Sequence, residues 1–334
     1  MTIAERHGIE MTVAMITRNR APVLQHCLRR LADQSLDPSC YEIVVVDDGS
    51  TDETTSVIAA AQREARCQIR AFRFAEHRGL SAVRNRSVRE ARGAVIVFVD
   101  SDGLVPPSFL SVHLAAHQAG HEDIVCRGPI ITVESLHRPF SARWSLLDLN
   151  TSFFDTSNAS VRREHLLAAG LFDEGLTDWE GLEMGLRLRE RGLRRVYCAD
   201  APLYHYQPPA AGESLAHALH IQEGRARSAK RFFARHPTLE VRLITSQTSL
   251  HRWLNLLQRG FGVVDAGSLP TWVERCRRWG VPALGRVLGG AVVTERYLSH
   301  LHQLTVGSPT RAAEPTNPEG TMAGRPAGDR RPES

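Results

Sequence analysis

The sequence predicts an α/β protein: a mostly parallel sheet flanked by helices, followed by a helical C-terminal extension. Two observations carry this. Between residues 11 and 100, short unbroken Val/Ile runs alternate with segments of helical periodicity. An uninterrupted apolar run marks a strand buried on both faces, as in a parallel sheet. From Leu215 to about Leu304 the chain then reads as helix after helix, with no further strand signal. Strand–helix alternation predicts a doubly wound sheet. Ligands of such sheets sit beyond the carboxyl ends of the strands.

Taken in order, MTVAMIT is a strand, followed by a helix from Val23 to Asp33. EIVVVDD is the second strand and Asp52 to Arg66 the second helix. Cys67 to Phe74 reads as a third strand, Leu80 to Ala91 as a helix, and AVIVFVD as a fourth strand. The pattern then loosens. Pro106 to Ala119 is helical, whereas Gly128 to Thr156 mixes aromatics with polar loop residues. Helical periodicity returns in VRREHLLAAG and in WEGLEMGLRLRERG, closed by Gly192, and a short strand RVYCA leads into PLYHYQPPAAGES. The segment after residue 306 is rich in Pro, Gly, Ser and Thr, the composition of a disordered tail. The expected divisions are a lead at 1–10, an α/β domain at 11–212 with halves at about 11–103 and 104–212, helices at 213–306 and a tail at 307–334.

Composition narrows the function. A formal charge of +4 on 334 residues gives no nucleic-acid footprint, which needs clustering as well as sign. No apolar run of roughly 20 residues offers a membrane span; Val281 to Thr294 is shorter and broken by Arg286 and glycines. The N-terminus has no apolar run after a basic start, so no signal peptide is read, and a cytoplasmic chain with reduced thiols is expected. The six cysteines are scattered and form no CxxC pair, which argues against a zinc knuckle.

Three strands end in polar clusters that should converge: Thr17-Arg18-Asn19, Asp47-Asp48 with GSTDE behind them, and Asp100-Ser101-Asp102. Two carboxylates spaced by one residue on a turn place hard oxygen ligands near one divalent cation. Mg²⁺ or Mn²⁺ suits such carboxylates together with the oxygens of a phosphate. Acidic clusters on adjacent strand ends repel one another, so a cation or a donor-rich ligand is expected between them. The plainer alternative is that Asp and Gly simply make turns after strands.

The strings VVVDDGSTDET, RGLSAVRNRSVREARGAVIVFVDSD and NASVRREHLLAAGLFDEGLTDWEGLEMGLRLRERG, in that order and spacing, resemble a family 2 glycosyltransferase of the GT-A fold. The likeness runs from about residue 11 to about residue 207. It implies a Rossmann-like sheet with a nucleotide-sugar half and an acceptor half. The activity implied is inverting transfer of a sugar from a nucleoside diphosphate, usually UDP, to an acceptor hydroxyl. Carried over residue by residue, Thr17 touches the nucleotide, Asp48 accepts from the uracil ring and Asp47 supports the turn. Arg84 lies near the nucleotide and its phosphates, with Arg78 as competitor; a solvated helix face is the plainer reading of Arg84. Asp100 holds ribose or metal and Asp102 binds the Mn²⁺ or Mg²⁺ that bridges the diphosphate. His205, in LYHYQ, is either a third metal ligand or a structural histidine between two tyrosines. Asn158 matches a position on the acceptor side, and Trp179 is among the aromatics (with Phe140, Trp144, Phe153 and Phe154) that could stack on a sugar.

One position departs from the family. The resemblance implies a Glu-Asp pair after the FDE turn, with the aspartate as general base, but here Glu180 is followed by Gly181. The base then falls to Glu180, the nearest motif match, or Asp178, with Glu183 behind them. Each has another reading: Thr177 and Glu180 fit a T-x-x-E capping box, Glu183 and Arg187 an i,i+4 ion pair, and Asp178 a favourable charge at a helix N-terminus. The missing aspartate also leaves open a catalytically weak or inactive nucleotide-binding protein. A sugar-1-phosphate nucleotidyltransferase would need a glycine-rich loop where this chain has TRNRAP, and no GxGxxG supports a dinucleotide oxidoreductase. The expected partners are a nucleotide-sugar donor and an acceptor that is a small molecule, lipid carrier or glycan. The basic helical segment (Arg225, Arg227, Lys230, Arg231, Arg235) could attract an anionic acceptor or touch a lipid surface.

Overall fold

The structure, a computed structural model, describes residues 8–119, 122–137, 139–143, 152–208 and 215–306. The first seven residues of the expected lead, Trp144 and the tail at 307–334 lie outside that range. The first half runs β1 (Met11–Thr17), α1 (Ala21–Ala32), β2 (Tyr41–Asp47), α2 (Thr54–Glu64), β3 (Gln68–Arg73), α3 (Leu80–Glu90) and β4 (Val95–Asp100). These four strands are parallel in the order β3-β2-β1-β4. The Val/Ile faces of β1, β2 and β4 are buried on both sides, against α1 and α2 on one face and α3 on the other, while β3 at the edge is partly exposed. The chain winds outward from β1 to β3 and then returns to place β4 on the far side of β1. That reversal opens a crevice at the carboxyl ends of β1 and β4. Register levels the ends: Thr17 lies opposite Asp47, and Ile16 opposite Asp100.

The second half runs β5 (Gly103–Leu104), α4 (Phe109–Gln118), β6 (Ile124–Arg127), β7 (Ile130–Val133), β8 (Asn158–Arg162), α5 (Arg163–Ala168), α6 (Glu180–Glu190), β9 (Arg194–Tyr197) and β10 (Leu203–Tyr206). It extends the main sheet to β3-β2-β1-β4-β8-β6-β9, with β8 antiparallel to both β4 and β6. A second sheet, β5-β10-β7, sits at the carboxyl end of β4. Several of these strands differ from expectation. Val161 and Arg162, read as the start of a helix, close β8 instead, β7 lies where loop was read, and β6 and β10 fall in segments given no element. All are four or five residues long, too short to show periodicity, and each exists because an existing strand edge pairs with it.

Cys126 on β6 and Cys198 just after β9 form a disulfide across 72 residues, which corrects the expectation that all six thiols are reduced. The parallel pairing of β6 with β9 brings them together. Cys27, Cys40, Cys67 and Cys276 are free.

The C-terminal helices are α7 (Leu215–Arg235), α8 (Leu239–Ile244), α9 (Ser249–Gln258), α10 (Leu269–Arg278) and α11 (Pro282–Val306). Helices α7 and α11 pack along each other, tied to α8 and α9 by Tyr297 donating to the Thr245 carbonyl (2.6 Å) and Asn255 to the Ala291 carbonyl (2.7 Å). Ser228 of α7 joins them to the α/β domain, donating to the Asp178 carbonyl at 2.7 Å. Among the described residues no helix is long and apolar enough to cross a membrane.

Candidate active site

A cavity of about 320 Å³ opens at the carboxyl ends of β1 and β4, and its wall includes Thr17, Asp48, Arg84, Asp100, Asp102 and His205. These residues come from five different segments, brought together by the levelled strand ends. The loops after β1 and β2 brace one another. Asn19, in the left-handed region at φ 51°, accepts from the Thr51 N–H at 2.8 Å and donates its own N–H to the Ser50 hydroxyl at 2.9 Å. Gly49 holds φ 71°, and a Cβ there would stand 2.9 Å from the Glu76 carbonyl carbon, so this turn requires glycine.

Asp47 and Asp48 divide their work. Asp47 is buried and turns back on its own loop, accepting from the Ser50 N–H and hydroxyl and pairing with Arg73 at 3.4 Å. It does not reach the cavity wall. Asp48 does, and its carboxylate also accepts from the backbone N–H of Arg78 (2.7 Å) and Gly79 (3.1 Å) and lies 2.6 Å from Nδ1 of His77. Thr17 presents a hydroxyl that is buried on the wall without a hydrogen-bond partner. A buried, unpaired donor at a cavity is a position that a polar ligand would satisfy.

Asp100, Asp102 and His205 each direct one ligand atom to a common point, all within 4.8 Å of one another. The small sheet is responsible, since β10 pairs with β5 so that His205 stands opposite Gly103, the residue after Asp102. Nε2 of His205 lies 3.0 Å from Oδ1 of Asp102. The hydrogen bond to Asp102 holds the His205 imidazole above its ordinary pKa, against the opposing effect of burial. Burial acts to raise the Asp102 carboxyl. The His205 hydrogen bond and charge, with Arg20 at 3.8 Å, outweigh burial and leave Asp102 below the usual aspartate value. Asp100 goes the other way: burial raises it, partly offset by Arg84 and by the Ser157 hydroxyl at 2.6 Å. Two hard carboxylates and an imidazole at this spacing form a donor set suited to one divalent cation.

Arg84 is 5% exposed, which corrects the reading of it as a solvated helix face. Its guanidinium pairs with Glu180, whose side chain is 8% exposed, and lies 5.8 Å from the Phe172 ring. Glu180 begins α6 with no side-chain cap, so the proposed Thr177–Glu180 capping box does not form. Glu183 and Arg187 do pair, at 2.6 Å, but Glu183 is fully buried rather than on a surface, with His236 at 3.1 Å on its other oxygen. Asp178 is half-buried; burial and the nearby Glu180 raise its pKa, with Arg225 opposing. Gly181 leaves room, since a Cβ there would meet Thr156 at 3.6 Å.

The two acceptor-side expectations come out differently. Asn158 is 0% exposed and its amide is spent inside the protein, donating to the Pro129 and Ala201 carbonyls at 2.9 Å and contacting His113 at 3.0 Å. It pins the two sheets together and does not face an acceptor. Trp179, at φ 68°, donates to the Arg225 carbonyl, carries the Arg225 guanidinium 4.6 Å from its ring and packs 6.4 Å from Tyr297. It joins α6 to the C-terminal helices. Sequence reasoning missed Arg20 and His77 on the cavity wall and Ser157 beneath Asp100. Only Arg20 carried any signal, through its place in the TRNRAP loop.

Residues 12–167 match the family model described as Glycosyl transferase family 2. An uncharacterized glycosyltransferase, YfnE, of Bacillus subtilis is 26% identical, over 62% of this chain and 67% of that protein. The validoxylamine A glucosyltransferase of Streptomyces hygroscopicus subsp. limoneus is 28% identical over 57% of this chain. The chain spans about half the length of that relative, at 50%. Among solved structures, S. aureus TarS 1–349 in complex with UDP-GlcNAc aligns with a TM-score of 0.56 over 91% of this chain and 93% of its own, at 18% identity. Mannosyltransferase PcManGT from Pyrobaculum calidifontis, in complex with GDP-Man and Mn²⁺, aligns at 0.58 over 86% and 87%, also at 18% identity. At that identity the likeness shows a shared fold.

Proposed function

We propose that the chain, whose residues 12–167 match the glycosyl transferase family 2 model and whose fold is that of GT-A glycosyltransferases, moves a sugar from a nucleoside diphosphate, UDP first, to an acceptor hydroxyl with inversion. The observation that carries this reading is the convergence of Asp100, Asp102 and His205 on the cavity that Thr17, Asp48 and Arg84 also line. Support for a nucleotide-sugar donor comes from the UDP-GlcNAc and GDP-Man complexes of the two fold neighbours. The PcManGT complex with Mn²⁺ supports a divalent cation.

In this reading Thr17 and Asp48 receive the nucleotide. Asp48 has its carboxylate oriented by two backbone N–H groups, so it meets a ring N–H without rearrangement. Arg84, aligned by Glu180, sets a fixed positive charge beside Asp100, offsetting the carboxylates that a diphosphate would meet there. Asp100, Asp102 and His205 would hold Mn²⁺ or Mg²⁺, which when bound neutralises the charge of the departing diphosphate. Asp178 is the base we favour. Burial and the neighbouring Glu180 hold its carboxyl above the ordinary aspartate value, the direction that favours a proton acceptor, while the Glu180 carboxylate is engaged by Arg84. The acceptor is a small molecule, lipid carrier or glycan.

The test is calorimetric titration of UDP into the purified protein with Mn²⁺ and then with EDTA, repeated on Asp102→Ala. Binding that requires Mn²⁺ and is lost in Asp102→Ala is expected. UDP binding of equal strength in EDTA and in Asp102→Ala would remove the metal from the reading. No UDP binding by folded protein would remove the donor.

A further inference from the structure

A second cavity, of about 370 Å³, lies among α7, α8, α9 and α11 and shares no wall residue with the donor cleft. Four basic side chains meet on its wall: Lys230, Arg242, Arg252 and His302. None of its lining residues carries a carboxylate. The acids of the surrounding helices are spent elsewhere. Glu223 of α7 pairs with Arg296, Glu240 of α8 with Arg189, Glu295 of α11 with Arg259, and α9 contains none.

The cations are instead arranged against neutral or cationic neighbours. Lys230 donates to the Thr305 hydroxyl, Arg242 lies 5.8 Å from the Phe233 ring, and Nη1 of Arg252 sits 3.3 Å from Nδ1 of His302. Burial, followed by repulsion from Arg242 and Arg252, holds the Lys230 ammonium below its ordinary pKa. Three uncompensated positive groups around one concavity repel each other, and an anion placed among them relieves that repulsion. Guanidinium forks match the oxygens of a phosphate, with the lysine acting as a point charge beside them. The floor is of another kind. Phe233, Leu298 and Leu301 line the same cavity, so its ligand meets apolar surface next to the charge.

We propose that this cavity is a second binding site of the chain, taking the phosphate group of a ligand whose body is apolar. The chemistry is shared by a lipid phosphate and a soluble phosphate ester, and size of the apolar body separates them. The probes are inorganic phosphate and dihexanoyl phosphatidic acid, titrated calorimetrically into the full chain in EDTA so that no metal recruits phosphate to the donor cleft. The comparison variants are Arg242→Gln/Arg252→Gln, both at exposed positions, and Arg286→Gln, an exposed arginine outside the cavity.

Phosphatidic acid is expected to bind the wild type and to lose at least about tenfold in affinity in the double variant, the scale of a lost charge-assisted contact. Arg286→Gln should stay within about twofold. Phosphatidic acid at least about tenfold tighter than inorganic phosphate supports a lipid-type ligand, and comparable affinities support a soluble phosphate ester. Equal binding by wild type and double variant, or no binding of either probe by folded wild type, overturns the proposal. UDP affinity measured with Mn²⁺ on the same double variant should be unchanged, which keeps a failure here distinct from a failure of the donor site.

Discussion

Glu180 has two incompatible descriptions, a free carboxylate that accepts a proton or the buried counter-ion that positions Arg84, and Glu180→Gln separates them. The Arg84 and Glu180 side chains are 6% and 8% exposed and in contact. Glutamine keeps the shape but removes the compensating charge from a buried guanidinium. Breaking a buried pair by removing one partner costs about 3–5 kcal/mol; because glutamine can still accept one hydrogen bond, the lower end is expected. At about 2.1 cal/mol/K of unfolding entropy per residue, about 3 kcal/mol in a chain of 334 residues corresponds to a Tm fall of roughly 4 °C. Arg84 would also lose its alignment beside Asp100, so UDP affinity with Mn²⁺ should weaken on the order of tenfold. The neutral double replacement Arg84→Gln/Glu180→Gln should recover stability to within about 1 kcal/mol of wild type, because no charge is left stranded, while UDP binding stays weak. The assays are thermal denaturation and calorimetry on the four proteins of this cycle. A Glu180→Gln protein with unchanged Tm and UDP affinity but kcat reduced by about 10²- to 10⁴-fold would refute the positioning role and make Glu180 the base.

Three further outcomes follow from the same geometry. Asp178→Asn should lower kcat by about 10²- to 10⁴-fold with little change in donor KM; in the wild type, activity should fall as pH drops through a pKa above the ordinary aspartate value, and a kcat indifferent to the substitution would exclude Asp178 as base. His113 and His117, both pushed down to about 4 by burial, are neutral in the folded protein, whereas the unfolded chain takes up protons near 6.5. Stability should therefore decline as pH falls from about 6.5 to about 4, by a few kcal/mol per histidine at most; ring resonances titrating above pH 5.5 would contradict this. Gly128→Ala would put a Cβ 2.0 Å from the Ala201 carbonyl oxygen and 2.6 Å from Nδ2 of Asn158, so it should cost about 3 kcal/mol in chemical denaturation. In Gly181→Ala the nearest atom is 3.6 Å away, and a helical site should gain up to about 1 kcal/mol instead. Similar costs for the two would mean the β6–β7 turn yields more easily than its contacts suggest.

What the sequence determined by itself was the parallel half of the fold and the strand ends that form the cavity. Runs such as VVVDD and VIVFVD declare their buried faces locally, and the polar residue ending each run falls at its strand's carboxyl end because where a strand stops is itself a local signal. Thr17, Asp48, Asp100 and Asp102 were therefore legible as a converging set. The right half was not. β8 is antiparallel and five residues long, and it forms because the edge of β4 accepts it, a partnership with no local sign in NASVR. Asn158 looked like a polar residue facing a cleft, but the two sheets close around it and consume its amide.

Tertiary structure alone decided the rest. His205 meets Asp102 because β10 pairs with β5 across about a hundred residues of intervening chain. Arg84 is buried and paired rather than solvated because α6 lays Glu180 against it, 96 residues downstream. Cys126 reaches Cys198 only through β6–β9 pairing. The charged cavity of the C-terminal helices likewise combines side chains from four helices, of which only Lys230 lay in the basic segment that the sequence marked. Strand identity and edge chemistry are local properties of a polypeptide; which charge finds which partner is set by packing, and a linear pattern does not encode it.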